Sequence, residues 1–85
     1  MTVVWGEEYW ESVLSLDGGT GLLHQSLRGY REALAWFPEL GEMVWGSEGK
    51  YFVPAKVMEP LLDLRLVYVL SGRFVVLLAV EPVVG

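Results

Sequence analysis

The sequence predicts an α+β domain in which two helices precede an antiparallel, β-rich second half. Three observations predict it: apolar residues at helical spacing within residues 7–37, a β-hairpin signal within residues 64–80, and segregation of the helices from most of the strands. At 85 residues the chain makes a single domain, 1–85, whose core is thin for its surface.

Thr2-Val3-Val4-Trp5 reads as a short opening strand, and Gly6 followed by Glu7-Glu8 as a helix start with acids at the positive end of the dipole. This helix is expected to run to about Leu16, with Tyr9, Trp10, Val13 and Leu14 as its apolar face. Asp17-Gly18-Gly19-Thr20-Gly21 breaks it. A second helix is expected over roughly Leu22 to Phe37, since Leu23, Leu27, Tyr30, Leu34 and Phe37 step by four and three along one stripe, and Pro38 ends it. Gly29, costly inside a helix, is read as marking a close approach to the other helix or the sheet. Residues 39–49 read as irregular, with a turn at Gly46-Ser47-Glu48-Gly49. Lys50 to Val53 opens a strand that resumes from Lys56 to Met58 after Pro54, whose missing donor implies an edge or a bulge, and Glu59-Pro60 turns toward the hairpin.

The hairpin is the strongest local signal: Leu64 to Leu70, a Ser71-Gly72 turn, then Arg73 to Val80. A two-residue loop pairing Leu70 with Arg73 puts Leu64, Leu66, Tyr68, Leu70, Val75, Leu77 and Ala79 on one face. The other face takes Arg65, Val67, Val69, Phe74, Val76, Leu78 and Val80. Both faces are apolar, and two short helices cover only one. Leaving Val67, Val69, Phe74, Val76 and Leu78 wet forfeits roughly 8 to 15 kcal/mol as an upper bound, comparable with the ~4 to 15 kcal/mol cost of association. These five are therefore the expected partner-binding residues. The alternative is that Val83-Val84 or the 39–49 loop folds over them.

Composition bounds the function. The chain has no Cys, no apolar run near the ~20 residues of a membrane span and no signal-peptide pattern at its start, so a soluble, cytoplasmic protein is expected. Net charge is −5, against non-specific binding to a polyanion. Residues 1–48 hold eight acids against Arg28 and Arg31, a net of −6, while residues 49–85 hold Lys50, Lys56, Arg65 and Arg73 against Glu59, Asp63 and Glu81, a net of +1.

Candidate chemistry is sparse. One histidine, His24, and no Cys exclude the zinc patterns, and Glu7, Glu8 and Glu11 on one helix lack convergent oxygens, so no metal or cofactor is expected. Gly18-Gly19-Thr20-Gly21 follows a helix and lacks the lysine of a phosphate loop, so it reads as a flexible connection. Ser26 and His24 are two apart on a helix and do not face each other. Trp5, Trp10, Trp36 and Trp45 are expected in the core and its rim.

Arg65-Leu66-Val67-Tyr68 before a turn and a Val/Leu-rich last strand resembles the penultimate strand of the RelE/ParE toxins of bacterial toxin-antitoxin systems. Pro38-Glu39-Leu40-Gly41 resembles that family's Pro-x-Leu-Gly turn, and Gly49-Lys50-Tyr51 its entry to the second strand. The resemblance implies a β-α-α-β-β-β fold with two helices on one face of a small, mainly antiparallel sheet. It also implies metal-independent, ribosome-dependent mRNA cleavage, in which a 2′-hydroxyl attacks the adjacent phosphate while cations stabilise the developing charge. Arg65 and Lys56 would be the catalytic pair, and Lys50 and Arg73 would contact nucleic acid. Two departures stand out: Met58 where the family has a second lysine, and Glu81-Pro82-Val83-Val84-Gly85 where it has basic and tyrosine residues. A non-catalytic module of the same fold, gyrase-inhibiting or antitoxin-binding, and a homo-oligomeric structural domain are the alternatives. The implied partners are an antitoxin or a second copy, with ribosome and mRNA or DNA gyrase as targets. For Arg65 and Lys56, ion pairing with Asp63 or Glu59 is the structural alternative.

Overall fold

The computed structural model describes residues 1–47, 49–58 and 61–83, with the side chains of Met58 and Leu61 excepted. The elements are β1 (Thr2–Trp5), α1 (Glu7–Asp17), α2 (Leu22–Ser26), α3 (Arg28–Trp36), a 3-10 turn (Pro38–Leu40), β2 (Glu42–Met43), β3 (Lys50–Met58), β4 (Leu61–Ser71) and β5 (Phe74–Pro82). They form an α+β domain with a five-stranded mixed sheet in the order β1-β5-β4-β3-β2. β1 runs parallel to β5, and the other neighbours are antiparallel. Among the described residues, no helix is long and apolar enough to cross a membrane.

The helices lie on one face of the sheet. Tyr9 and Val13 of α1, Leu23 of α2, Leu27 and Leu34 form one buried cluster with Val53, Ala55 and Val57 of β3, Leu64, Leu66 and Tyr68 of β4, and Val75, Leu77 and Val80 of β5. Burying these side chains is the main source of stability in so small a domain. On β4 and β5 this set follows the period of two expected of strands with one buried face, interrupted once.

The interruption is a β-bulge. Opposite Val67 and Tyr68 stand Ala79 and Leu77, so Leu78 is the extra residue. Beyond it the parity of β5 flips, and Val80 enters the core where simple alternation assigns Ala79. Ser12 of α1 bonds the chain beyond the bulge: the Val80 amide donates to Ser12 Oγ at 2.9 Å, and that hydroxyl donates to Tyr9 O at 2.6 Å.

Other expectations are corrected as well. The hairpin pairs Leu70 with Val75 and Ser71 with Phe74, so the turn is Gly72-Arg73 rather than Ser71-Gly72, with Gly72 at φ +58°. The two-residue slip preserves which side chains share a face. The single helix over residues 22–37 is two helices, because Leu27 sits at ψ 2°. Phe37 at the end of its stripe is exposed, and a Cβ at Gly29 would meet nothing within 4 Å, so no close approach exists there.

Residues 39–49 are less irregular than expected. Glu42 and Met43 pair with Phe52 and Tyr51, adding a strand outside β3. This short strand ends before Pro54, whose missing donor therefore falls on an open edge. Two residues on, the edge amide of Lys56 donates to Tyr30 Oη at 3.0 Å. The Asp17–Gly21 connection is organised by Asp17, whose carboxylate accepts from the amides of Gly19, Thr20 and Leu23 at 3.0 to 3.2 Å. The expected Glu59-Pro60 turn, and Val84 as a cover for the sheet, lie outside the described residues.

Candidate functional site

Strand register decides what becomes of the expected cationic site. Lys56 and Arg65 project from the sheet face away from the helices, as diagonal neighbours on β3 and β4, about 7–8 Å apart. Lys50 is on the same face six residues from Lys56, about 20 Å along the strand, and Arg73 is in the turn beside Phe74. The cations are thus split between the two ends of the sheet.

Lys56 and Arg65 each have a neighbour on the sheet. Lys56 Nζ lies 3.8 Å from Asp63 Oδ1, an exposed pair. The Arg65 guanidinium stands 5.0 Å from the centre of the Phe52 ring, and Glu81 is opposite Arg65 in the register. Tyr68 points the other way, into the core. Its hydroxyl donates to Pro38 O at 2.8 Å and accepts from Gly41 N at 2.9 Å, while burial pushes its pKa up. Two segments, Arg65–Tyr68 and Pro38–Gly41, are therefore joined by one side chain that holds the 3-10 turn against β4. His24 lies in the helical layer on the far side of the sheet, so Lys56 and Arg65 have no histidine beside them for proton transfer.

The same face holds an apolar field. Val67, Val69, Phe74 and Val76, with Leu78 at the bulge, run along β4 and β5, continued by Phe52 on β3 and Val4 on β1. Among the described residues, the start of α1 at Glu7 and Glu8 borders a groove with Val76 and Leu78. Val67 is buried among its neighbours, Val69, Val76 and Leu78 are half-buried, and Phe74 is exposed. All five expected partner-binding residues are on this half of the sheet, on or beside its open face.

The tryptophans are not core residues. Trp45, at the tip of the β2–β3 turn, is 98% exposed and Trp36, at the end of α3, is 80% exposed. Trp5 and Trp10 border a cleft of about 440 Å³ whose other lining residues are Gly6, Glu7 and His24. The His24 ring centre stands 4.7 Å from that of Trp5 and 5.0 Å from that of Trp10, in edge-to-face contact with both. Tyr9 Oη bonds His24 Nδ1 at 2.9 Å, and the Arg31 guanidinium donates to the His24 carbonyl and lies over the Trp5 ring. The single histidine is thus the hub of an aromatic cluster, assembled from residues too far apart in sequence to suggest it. The nearest signal was Glu7 and Trp10 at helical spacing beside Trp5.

Burial, and then the Arg31 charge, push the His24 pKa below its ordinary 6.5. The native state therefore binds this proton less readily than the unfolded chain. The resulting contribution to stability is complete above pH 6.5 and is lost as pH falls through the lowered native value. Thermal melts should show Tm falling between pH 7.5 and 5.5 in the wild type, and falling less in His24→Gln; an equal fall in both would show that His24 does not set it.

Comparison with protein-family models, with curated proteins and with solved structures returns no match.

Proposed function

We infer that the chain is a RelE/ParE-like toxin-family protein acting as a non-catalytic binding module rather than as an mRNA endoribonuclease, and that its open sheet face docks an acidic amphipathic segment of a partner protein. The observation that supports this most is the apolar field of Val69, Phe74 and Val76, half-buried to exposed on the sheet face away from the helical core. Cleavage is the weaker reading, since Lys56 is paired with Asp63, Arg65 rests on Phe52, and Tyr68 holds a turn.

Charge selects the occupant. Among the described residues, the charged residues of this face and its turn are Lys50, Lys56, Arg65 and Arg73 against Glu42, Asp63 and Glu81, a sum of +1 on a chain of −5. Among the described residues Lys50, Arg65 and Arg73 make no ion pair. An apolar stripe flanked by acids satisfies both features, whereas a second copy would set two positive faces together.

Helical peptides selected from a displayed library against the domain should carry acidic flanks and shift the amide resonances of Phe52, Val67, Val69 and Val76. Val76→Lys, at a half-buried site, should leave the circular dichroism unchanged and weaken those peptides by about 30-fold or more. Peptides that bind Val76→Lys equally well would remove the surface from consideration. A wild-type dimer made monomeric by Val76→Lys would assign the face to a second copy, and transcript cuts in a translation extract that vanish in Arg65→Ala would restore the endoribonuclease.

A further inference from the structure

The cleft at the start of α1 has a composition that the sheet-face reading leaves unused. Trp5 ends β1, Gly6 turns the chain, Glu7 and Trp10 follow three apart on one face of α1, and His24 arrives from α2. Trp5 and Trp10 each meet His24 edge-to-face and form no ring pair with one another. Both are partly open to solvent, at 43% and 37%. Nδ1 of His24 is committed to Tyr9 Oη, which fixes the ring in place. Arg31 bonds the His24 carbonyl, comes within 3.4 Å of His24 Nδ1 and lies over Trp5, and it is not among the residues that line the cleft. Among the described residues, the only charged side chain that lines the cleft is Glu7.

We propose that this cleft binds a methylated ammonium group, with Trp5 and Trp10 as walls, His24 as floor and Glu7 as counter-charge. Such a group has no N–H to satisfy and is weakly hydrated, so aromatic faces compensate its desolvation where they could not compensate that of a primary ammonium. The negative faces of the rings attract it, and a single carboxylate at the rim selects positive charge over a neutral ligand of the same shape. Glu8 and Glu11 on the same helix raise the local concentration of cations. A sugar ring also stacks on tryptophan, but it has no use for the Glu7 charge, so charge dependence separates the two ligands.

Choline is the probe, with its neutral carbon isostere 3,3-dimethyl-1-butanol and cellobiose as the competing arms, read by the four indole N–H resonances of the intact domain. Choline should shift the Trp5 and Trp10 signals saturably and leave Trp36 and Trp45 in place. The neutral isostere should bind about 5-fold or more weakly, and Trp10→Ala should weaken choline by about 5- to 30-fold. Glu7→Gln, at an exposed site, should weaken choline without changing the isostere. Equal binding of choline and the isostere, stronger binding of cellobiose, common drift of all four indoles, or no shift by about 50 mM choline would each overturn the proposal.

Discussion

Gly41→Ala should lower the stability of the domain by about 3 kcal/mol, combining overpacking with loss of a buried hydrogen bond. A Cβ at this position would lie 2.5 Å from Tyr68 Oη, 2.7 Å from Phe52 O and 2.8 Å from Tyr68 Cε1. The Phe52 carbonyl belongs to β3 and cannot swing aside, so either the 3-10 turn lifts off the sheet or Tyr68 leaves its two hydrogen bonds. In a domain of this size the loss is a large share of a total near 5 kcal/mol and should lower Tm by roughly 12–24 °C. Urea unfolding measures it directly. Tyr68→Phe should cost about 1–3 kcal/mol by stranding Gly41 N–H and Pro38 O. The double variant should lose less than the sum, because removing the hydroxyl relieves the tightest clash. Full additivity would show that the two residues do not act through this contact.

That contact shows how far local sequence reaches. Arg65–Tyr68 and Pro38–Gly41 each stand out in the sequence, yet nothing in either says that they touch, because the link is a single hydroxyl crossing from β4 to the turn. The alternation of Leu64, Leu66 and Tyr68 is legible because period two is a property of the strand itself. The faces of the hairpin survive a misplaced turn because the slip is by two residues. The bulge at Leu78 is not legible, since the acceptor that the Val80 amide beyond it finds is Ser12, 68 positions earlier. Nor is β2, a two-residue strand held by pairing with β3 rather than by any propensity of Glu42 and Met43.

The candidate sites divide in the same way. The five apolar residues of the open sheet face follow from counting alone: two apolar faces and helices enough for one. The cationic pair was legible by residue type, but its neighbours were not. Asp63 and Phe52 reach Lys56 and Arg65 only through register, which sets an exposed carboxylate beside the one and an aromatic ring beside the other. His24 was least legible. Its helix spacing shows nothing unusual, and its environment is built by Trp5, Tyr9, Trp10 and Arg31 from three other elements.

Leu27→Ala should cost roughly 2–5 kcal/mol, and Gly29→Ala, two residues later, should raise stability by up to about 1 kcal/mol. The contrast rests on how the helical run bends. At Leu27 the backbone leaves helical geometry, with φ −87° and ψ 2°, while helix-type bonds continue on either side, from Leu27 N to Leu23 O at 3.0 Å and from Arg31 N to Leu27 O at 3.1 Å. The bend orphans a carbonyl at the end of α2, and the Arg31 side chain donates to it at His24 O. It also leaves the Leu27 side chain fully buried against the sheet, where truncation opens a cavity at the junction of α2 and α3. Gly29 is exposed, within α3 and at negative φ, with open space where a Cβ would go, so alanine there only reduces the freedom of the unfolded chain. Chemical denaturation of both variants tests the bend as a designed feature. If Leu27→Ala were nearly neutral, or Gly29→Ala destabilising, the two short helices would be packed differently from the arrangement that brings His24 to the aromatic cleft.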